Sequence, residues 1–250
     1  MPQYNLGFID DESIFNHVLE TVKKYRFSVN LKEFNKNLID PIKLTFDAKI
    51  YKKNISDIIE NEVLRQIDKS NTNHIGYFHQ NMFNHFGDGW LVPKNGYDVI
   101  NEERLIFIEM KNKHNTMNSS SSQKTYMRMQ NTILKTPDAT CMLVEVIAKN
   151  SQDMVWKMRL DGVPVSDDRI RRVSIDKFYK LVTGDAHAFK NLCEKLPLII
   201  SDAVDSLDDS IMGNTVFEEL GDISPNLMKS IYLLSFEKYE GFNTLEMLGE

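Results

Sequence analysis

The segment 96–113, GYDVINEERLIFIEMKNK, constrains this chain more than any other stretch. It is typical of a β-hairpin, with one strand over 96–100, a polar turn over 101–103 and a second strand over 104–111. The second strand is an almost continuous apolar run rich in Ile and Phe, as expected of a strand buried on both faces. The segment therefore predicts a buried strand with an antiparallel neighbour.

Three ionisable side chains interrupt this apolar context: Asp98, Glu109 and Lys111. An unpaired buried charge is strongly destabilising, so such groups are normally paired, bound to metal or placed at an exposed strand end. Glu109 and Lys111 are two residues apart and face the same side of the strand. Because a hairpin brings Asp98 beside Glu109, the sequence predicts two carboxylates and an ammonium group at one point.

This arrangement suits metal-assisted hydrolysis of a phosphodiester. Asp98, Glu109 and a main-chain carbonyl such as that of Met110 offer the hard oxygen ligands that Mg²⁺ prefers. The ion would polarise a phosphoryl oxygen and acidify a water molecule, while Lys111 would stabilise the developing charge or orient the water. The E-x-K spacing alone is weak evidence, since roughly one is expected by chance in a chain of this size. The alternative is a surface hairpin in which Glu109 and Lys111 form an ordinary ion pair.

A carboxylate upstream is a further candidate for the same site. A helix is predicted over about 54–69, with Ile55, Ile59 and Val63 on its apolar side. Glu62 falls at the edge of that apolar arc, so it is a candidate catalytic ligand, direct or through water. A half-exposed glutamate on the helix surface is the alternative interpretation.

The remaining elements follow from hydrophobic periodicity and capping residues. Helices are predicted over 12–25, 73–86, 123–135, 175–182 and 185–196, and strands over 141–148 and 154–160, the two strands as antiparallel neighbours. Pro41 is expected to prevent a long helix, and Pro197 to stop one. The histidines of 73–86 share no helix face, so a zinc cluster is not expected there.

A long polar segment, NKHNTMNSSSSQK, follows the charged strand over 112–124. One of its serines is expected to cap the helix 123–135. A flexible linker is one interpretation of this composition. Because the segment comes directly after the charged strand, a loop that reads a DNA groove is favoured. Asn, Gln, Lys and Arg fit base edges, and Ser and Thr suit phosphates.

The charge distribution allows local contact with phosphates but argues against general coating of DNA. The formal net charge is −6, and residues 202–250 hold eleven acidic and two basic side chains, so the rest of the chain is slightly basic. The basic run 169–172 is either a phosphate contact or a solvated loop.

Several features predict a cytoplasmic protein without a membrane partner. No apolar run approaches the ~20 residues that span a bilayer. The N-terminus, MPQYNLGFIDDES, lacks the basic start and apolar core of a signal peptide. Cys141 and Cys193 stand alone in apolar contexts, which is typical of a reducing compartment.

Asp98 together with the Glu109-x-Lys111 spacing resembles the PD-(D/E)xK nuclease motif, although Tyr97 stands where the motif usually has proline. The wider runs IEMKNKHNTMNSSSSQKTY and VSIDKFYKLVTGDAHAFKNLCEKLP are similar to type II restriction endonucleases that cut the degenerate sequence GGNCC. The resemblance covers most of residues 5–200. It implies a Mg²⁺ enzyme with Asp98, Glu109 and Lys111 as the catalytic set.

The same resemblance implies a homodimer acting on palindromic double-stranded DNA, paired in function with a cognate DNA methyltransferase. A two-fold dimer suits a palindrome because each subunit cuts one strand. The loop 112–124 would reach the major groove, with Lys113, Lys124 or Arg128 as donors to guanine O6 and N7. The predicted DNA-binding residues are Asn112, Lys113, His114, Asn115, Asn118, Ser119, Ser120, Ser121, Ser122, Gln123, Lys124 and Arg128.

We therefore predict a single α/β nuclease domain over 1–250, with a mixed central β-sheet flanked by helices as in restriction endonucleases. Residues 1–200 would form the catalytic and DNA-binding core, and the acidic, helical C-terminal portion 201–250 would supply dimer contacts. The predicted activity is Mg²⁺-dependent, sequence-specific hydrolysis of double-stranded DNA. Two alternatives remain open: a repair or junction-resolving nuclease on the same core, and a non-catalytic DNA-binding module.

Overall fold

The computed structural model describes residues 3–25, 29–207, 215–239 and 242–246. The chain divides into two compact units. The sheet unit comprises Met1–Lys23 and His74–Leu207, and the helical unit comprises Lys24–Asn73 and Asp208–Glu250.

In the described residues, helices stand at both ends of the chain and the strands lie between them, with α5 between β3 and β4. The helices are α1 (Asp11–Lys24), α2 (Leu31–Phe34), α3 (Pro41–Tyr51), α4 (Ile55–Asn81), α5 (Ser119–Lys135), α6 (Ile175–Thr183), α7 (Ala188–Asp205), α8 (Val216–Ile223) and α9 (Leu227–Phe236). The strands are β1 (Trp90–Leu91), β2 (Val99–Asn101), β3 (Ile106–Lys113), β4 (Thr140–Ile147), β5 (Asp153–Val155), β6 (Met158–Leu160), β7 (Val163–Val165) and β8 (Ile170–Ser174). None of the described helices is long and apolar enough to cross a membrane.

A six-stranded mixed sheet in the order β1-β2-β3-β4-β8-β5 is the centre of the sheet unit. Strand β3 runs antiparallel to β2 and parallel to β4, and β4 runs parallel to β8. The prediction of an α/β fold with a mixed sheet flanked by helices is confirmed. The predicted hairpin also forms, with β2 and β3 joined through residues 102–105.

Alternation along β3 gives each face of the sheet its own core. Ile108 and Met110 join a cluster formed with residues of α1, α6 and α7. Phe107 faces the other side and joins Tyr126 and Met129 of α5. Burial of such side chains stabilises the fold by about 1.5–3 kcal/mol each. Because side chains alternate, the face that carries Phe107 also carries the charged residues farther along β3, so α5 covers the charged end of this strand.

In the helical unit, α2, α3, α8, α9 and the first part of α4 surround a core that includes Phe34, Ile59 and Ile231. No helix runs through Pro41 within residues 30–53, which agrees with the expectation that it prevents a long helix there, and Pro41 itself begins the eleven-residue helix α3. At the first helical position a missing N–H removes no intrahelical hydrogen bond. Asp40 caps the helix by accepting a first-turn N–H.

Three predictions about secondary structure are wrong. The helix predicted over 54–69 and most of the helix predicted over 73–86 form the single helix α4, since the polar residues 70–72 include neither Gly nor Pro. Pro197 lies inside α7, where buried residues on both sides of it, such as Leu192 and Ile199, hold the helix against the core. The strand predicted over 154–160 divides into β5 and β6, and β5 pairs with β8 instead of β4.

Candidate active site

The β2–β3 hairpin places Asp98. Its backbone N–H donates to the Ile108 carbonyl over 2.9 Å, and its Oδ2 accepts the N–H of Met110 over 2.7 Å. Since Val99 pairs with Ile108, Asp98 stands opposite Glu109 in the antiparallel register. The structure therefore brings the two predicted carboxylates together.

Two cationic side chains engage Glu109. Lys111 Nζ donates to Glu109 Oε1 over 2.7 Å, and the Arg128 guanidinium, from α5, donates to Oε2. The Glu109 side chain is only 13% exposed, so water screens these ion pairs less than it screens surface pairs. Lys111 thus lies at the carboxylate pair, and Arg128, which the sequence placed among the base readers, lies there too.

Tyr97 and the backbone before β2 hold Arg128. The Arg128 Cζ lies 4.5 Å from the centroid of the Tyr97 ring, and Nη1 donates to the Gly96 carbonyl over 3.1 Å. The Tyr97 hydroxyl lies 2.8 Å from Thr132 Oγ1, and burial raises the pKa of this phenol. The residue that replaces the usual proline of the motif therefore supplies a ring face to the guanidinium.

Burial and the neighbouring charge of Glu109 raise the pKa of Asp98 above its ordinary value. The Met110 N–H and the charges of Lys111 and Arg128 oppose this shift without cancelling it. Two carboxylates close together in a partly buried site favour an added proton or cation more than isolated carboxylates do. The pair is therefore suited to holding a cation.

The donor set fits a hard divalent cation. In a strand the N–H and C=O of one residue point to the same side, so the carbonyl of Met110 points, like its N–H, toward Asp98. Within the part of the chain that the structure describes, no group of three or more His, Cys, Asp and Glu side chains comes together. Asp98, Glu109 and the Met110 carbonyl are therefore the candidate ligands, and these oxygen donors match the preference of Mg²⁺.

A second charged cluster, not found from the sequence, lies next to this site. Glu145 of β4 is 1% exposed and is the registered neighbour of Lys111. Arg172 of β8 donates to both carboxylate oxygens of Glu145, and His114 Nδ1 lies 3.1 Å from Oε2. The sequence feature that could have indicated this cluster is the acidic residue within the apolar run CMLVEVIA. This Glu145 cluster (His114, Glu145 and Arg172) fixes the chain where it leaves β3.

The predicted loop 112–124 is largely ordered secondary structure. Asn112 and Lys113 end β3, and α5 begins at Ser119, so the four serines form the first turn of a helix. Asn118 caps this helix by accepting the Ser121 N–H over 2.8 Å, a role predicted for a serine. Only the turn 114–118 connects the strand to the helix.

A groove of about 1000 Å³ begins at Glu109 and Lys111 and follows α5. The predicted DNA-binding residues that line it are Ser120, Ser121, Gln123, Lys124 and Arg128. A smaller cavity of about 170 Å³ shares Lys111 with the groove. Its lining includes Lys113, Asn115 and Ser122 from the same predicted set.

Glu62 lies on α4 in the helical unit and is 7% exposed. Arg65 binds both of its carboxylate oxygens, and Gln66 donates to Oε1 over 3.1 Å. Burial alone would raise the pKa of Glu62, yet the hydrogen bonds from Arg65 and Gln66 lower it. These contacts show an ion-paired glutamate on its own helix, and its role as a ligand stays a prediction.

Comparison with known proteins identifies type II restriction enzymes as relatives of this chain. The family model described as Eco47II restriction endonuclease matches residues 6–205, which include every candidate site residue. The type II restriction enzyme Sau96I of Staphylococcus aureus is 32% identical over 214 residues, covering 80% of this chain and 82% of that protein. The type II restriction enzyme Eco47II of Escherichia coli is 30% identical over 205 residues, covering 77% of this chain and 85% of that protein.

Proposed function

Because the chain belongs to the Eco47II restriction endonuclease family, we propose that it hydrolyses double-stranded DNA at GGNCC in a Mg²⁺-dependent reaction. The observation that carries this proposal is the meeting of Asp98, Glu109 and Lys111 at one point on the hairpin. The specificity rests on the similarity of the runs 108–126 and 173–197 to enzymes that cut GGNCC.

The residues of the site have different roles in the proposed reaction. Asp98, Glu109 and the Met110 carbonyl would hold Mg²⁺, which when bound polarises a phosphoryl oxygen and lowers the pKa of a coordinated water. Lys111, held at Glu109, places a positive charge beside the reacting phosphate. There it stabilises the negative charge that develops in the transition state or orients the attacking water.

The proposed DNA contacts lie on the turn 114–118 and the first turns of α5. The N–H groups at the start of this 17-residue helix, with the side chains of Ser120 and Ser121, suit phosphate oxygens. Gln123 and Lys124 line the same groove and carry donors that fit base edges or phosphates. This placement of the DNA contacts is supported by the groove itself, which begins at Glu109 of the carboxylate pair.

The proposed assembly is a homodimer, in which each of two symmetry-related copies cuts one strand of a palindromic site. A cognate DNA methyltransferase would protect the same sequence in the cell's own DNA. Cys141 and Cys193 are both unpaired, which suits a cytoplasmic location. The single nuclease domain over 1–250, with dimer contacts from 201–250, stays a prediction.

Digestion of a plasmid of known sequence, with Mg²⁺ or with EDTA, followed by mapping of the fragment ends, tests this function. We expect cutting at GGNCC in Mg²⁺ and none in EDTA. Ends at another sequence would overturn the specificity alone. Cleavage restricted to branched or damaged DNA would indicate a repair enzyme, and a mobility shift of intact DNA would indicate a non-catalytic binding protein.

A further inference from the structure

Arg128 lies in the candidate active site although it comes from a different element and no motif marks it. Its guanidinium binds Glu109 and the Gly96 carbonyl and rests on the Tyr97 ring. Thr132, one turn along α5, binds both the Tyr97 hydroxyl and the Arg128 carbonyl. The side chain is therefore positioned from several directions, as expected of a residue with a defined role at the carboxylates.

This position has a direct consequence for metal binding. With Lys111 on Oε1 and Arg128 on Oε2, each oxygen of Glu109 already has a cationic partner. Arginine does not lose its proton in proteins, so it cannot leave Glu109 by becoming neutral. A divalent ion that binds through Glu109 is therefore repelled by these two positive charges, and its binding is favoured when one of them moves away.

The contacts of Arg128 suggest that it is the cation that moves. Its side chain is 39% exposed and lines the groove, so a path toward bound DNA is open. Its Nε is buried and has no hydrogen-bond partner among the described residues, so the position at Glu109 leaves one donor unused. A phosphate accepts two parallel N–H groups of a guanidinium, one of which is commonly Nε–H.

We propose that Arg128 is an exchangeable cation of the active site. In the metal-free enzyme it neutralises Glu109, and when a divalent ion takes Glu109 it turns on the Tyr97 ring to bind a phosphate of the DNA at the site of cleavage. This inference rests on the proposed nuclease function. It assigns Arg128 to the phosphate at the reacting centre instead of to a base edge, and it gives Tyr97 the role of a positioning residue.

The first test is calcium binding to the DNA-free protein, measured by isothermal titration calorimetry. Arg128→Met keeps an apolar stem but removes the charge that competes for Glu109, so we expect Ca²⁺ to bind about tenfold tighter or more. Arg128→Lys keeps the charge and should stay near the wild-type affinity. Lys135→Met removes one positive charge from an exposed position on the same helix and should change nothing.

The second test separates phosphate contact from base reading, using the GGNCC duplex. We expect Arg128→Met to slow single-turnover cleavage in Mg²⁺ about 100-fold or more while the preference for GGNCC in Ca²⁺ is retained. Arg128→Lys should restore only part of the rate, because an ammonium cannot make the paired contact. Tyr97→Leu removes the ring but not the charge, and should lower the cleavage rate while keeping DNA affinity.

Three results would overturn the inference. Calcium affinity that is unchanged or weaker in a folded Arg128→Met protein contradicts the exchange at Glu109. If Arg128→Met loses the preference for GGNCC but cleaves the DNA that it still binds at the normal rate, Arg128 contacts a base instead of the phosphate. If Arg128→Met fails to fold, Arg128→Lys with wild-type cleavage excludes the paired phosphate contact. Wild-type protein that never cuts DNA would instead refute the proposed function, and the calcium titration still decides the exchange.

Discussion

Substitution of Asp98 by asparagine should stabilise the metal-free protein while removing its cleavage activity. Burial and the Glu109 charge raise the pKa of Asp98, so the folded state binds this proton more tightly than the unfolded chain does. Protonated Asp98 stabilises the folded state at pH values below the pKa that this group has in the unfolded chain. This contribution is lost as the pH rises through the pKa that the group has in the folded protein. Near neutral pH the ionised Asp98 is therefore destabilising, and asparagine relieves this effect.

The magnitude follows from the repulsion between the charges of Asp98 and Glu109. Two like charges in a site that water partly screens repel each other by about 1 kcal/mol, and asparagine removes this repulsion. In a chain of this size each kcal/mol moves the Tm by about 2–4 °C. Asparagine keeps an oxygen that can accept the Met110 N–H, so the hydrogen bond at 2.7 Å is retained.

Thermal unfolding of wild type and Asp98→Asn, in EDTA and in Mg²⁺, measures this difference. We expect the variant to melt higher in EDTA near neutral pH, and the difference to vanish below about pH 4, where Asp98 is protonated. In Mg²⁺ the order should reverse, because binding at 100 times the Kd stabilises wild type alone by about 2.7 kcal/mol. Asp222→Asn, at an exposed position of α8, is the control. A variant that melts lower than wild type in EDTA would refute the reasoning.

Further predictions concern the rest of the site. Lys111→Met should retain DNA binding in a mobility-shift assay and lose plasmid cleavage, because the stem remains and the charge does not; retained cleavage would remove Lys111 from the chemistry. Glu145→Ala leaves Arg172 charged without its partner and should lower the free energy of unfolding by about 3–5 kcal/mol in urea; a smaller loss would mean that water replaces Glu145. Asn118→Ala removes the cap of α5 and should cost about 1 kcal/mol, seen as a lower Tm. Glu62→Gln tests the predicted ligand role of Glu62: lost cleavage would identify it as a ligand, and an unchanged cleavage rate would show that its contacts with Arg65 and Gln66 are structural.

The hairpin and its three charged residues were predictable because their pairing is local. Residues 99–101 and 106–108 are close along the chain, and their apolar pattern determines which side chains face the core. The contact between Arg128 and Glu109 spans 19 positions and depends on where α5 begins. No pattern within the sequence of β3 contains that information.

The start of α5 was misplaced because four consecutive serines have low helix propensity and resemble a loop. The Asn118 cap, together with packing of Tyr126 and Met129 farther along the helix, outweighs that local preference. The Glu145 cluster escaped prediction for a different reason. Arg172 comes from a strand 27 residues beyond Glu145, and a single acidic residue in an apolar run does not reveal its partner.

The six-stranded sheet ends in a two-residue strand on one side, β1, and a three-residue strand on the other, β5. Edges this short offer few free backbone groups for pairing with another chain. Two copies of this protein could not readily extend one sheet across a shared boundary. A symmetric pair that straddles a duplex would then join through helices, connecting segments or the small β6–β7 sheet, which leaves its two cutting centres on separate six-stranded sheets.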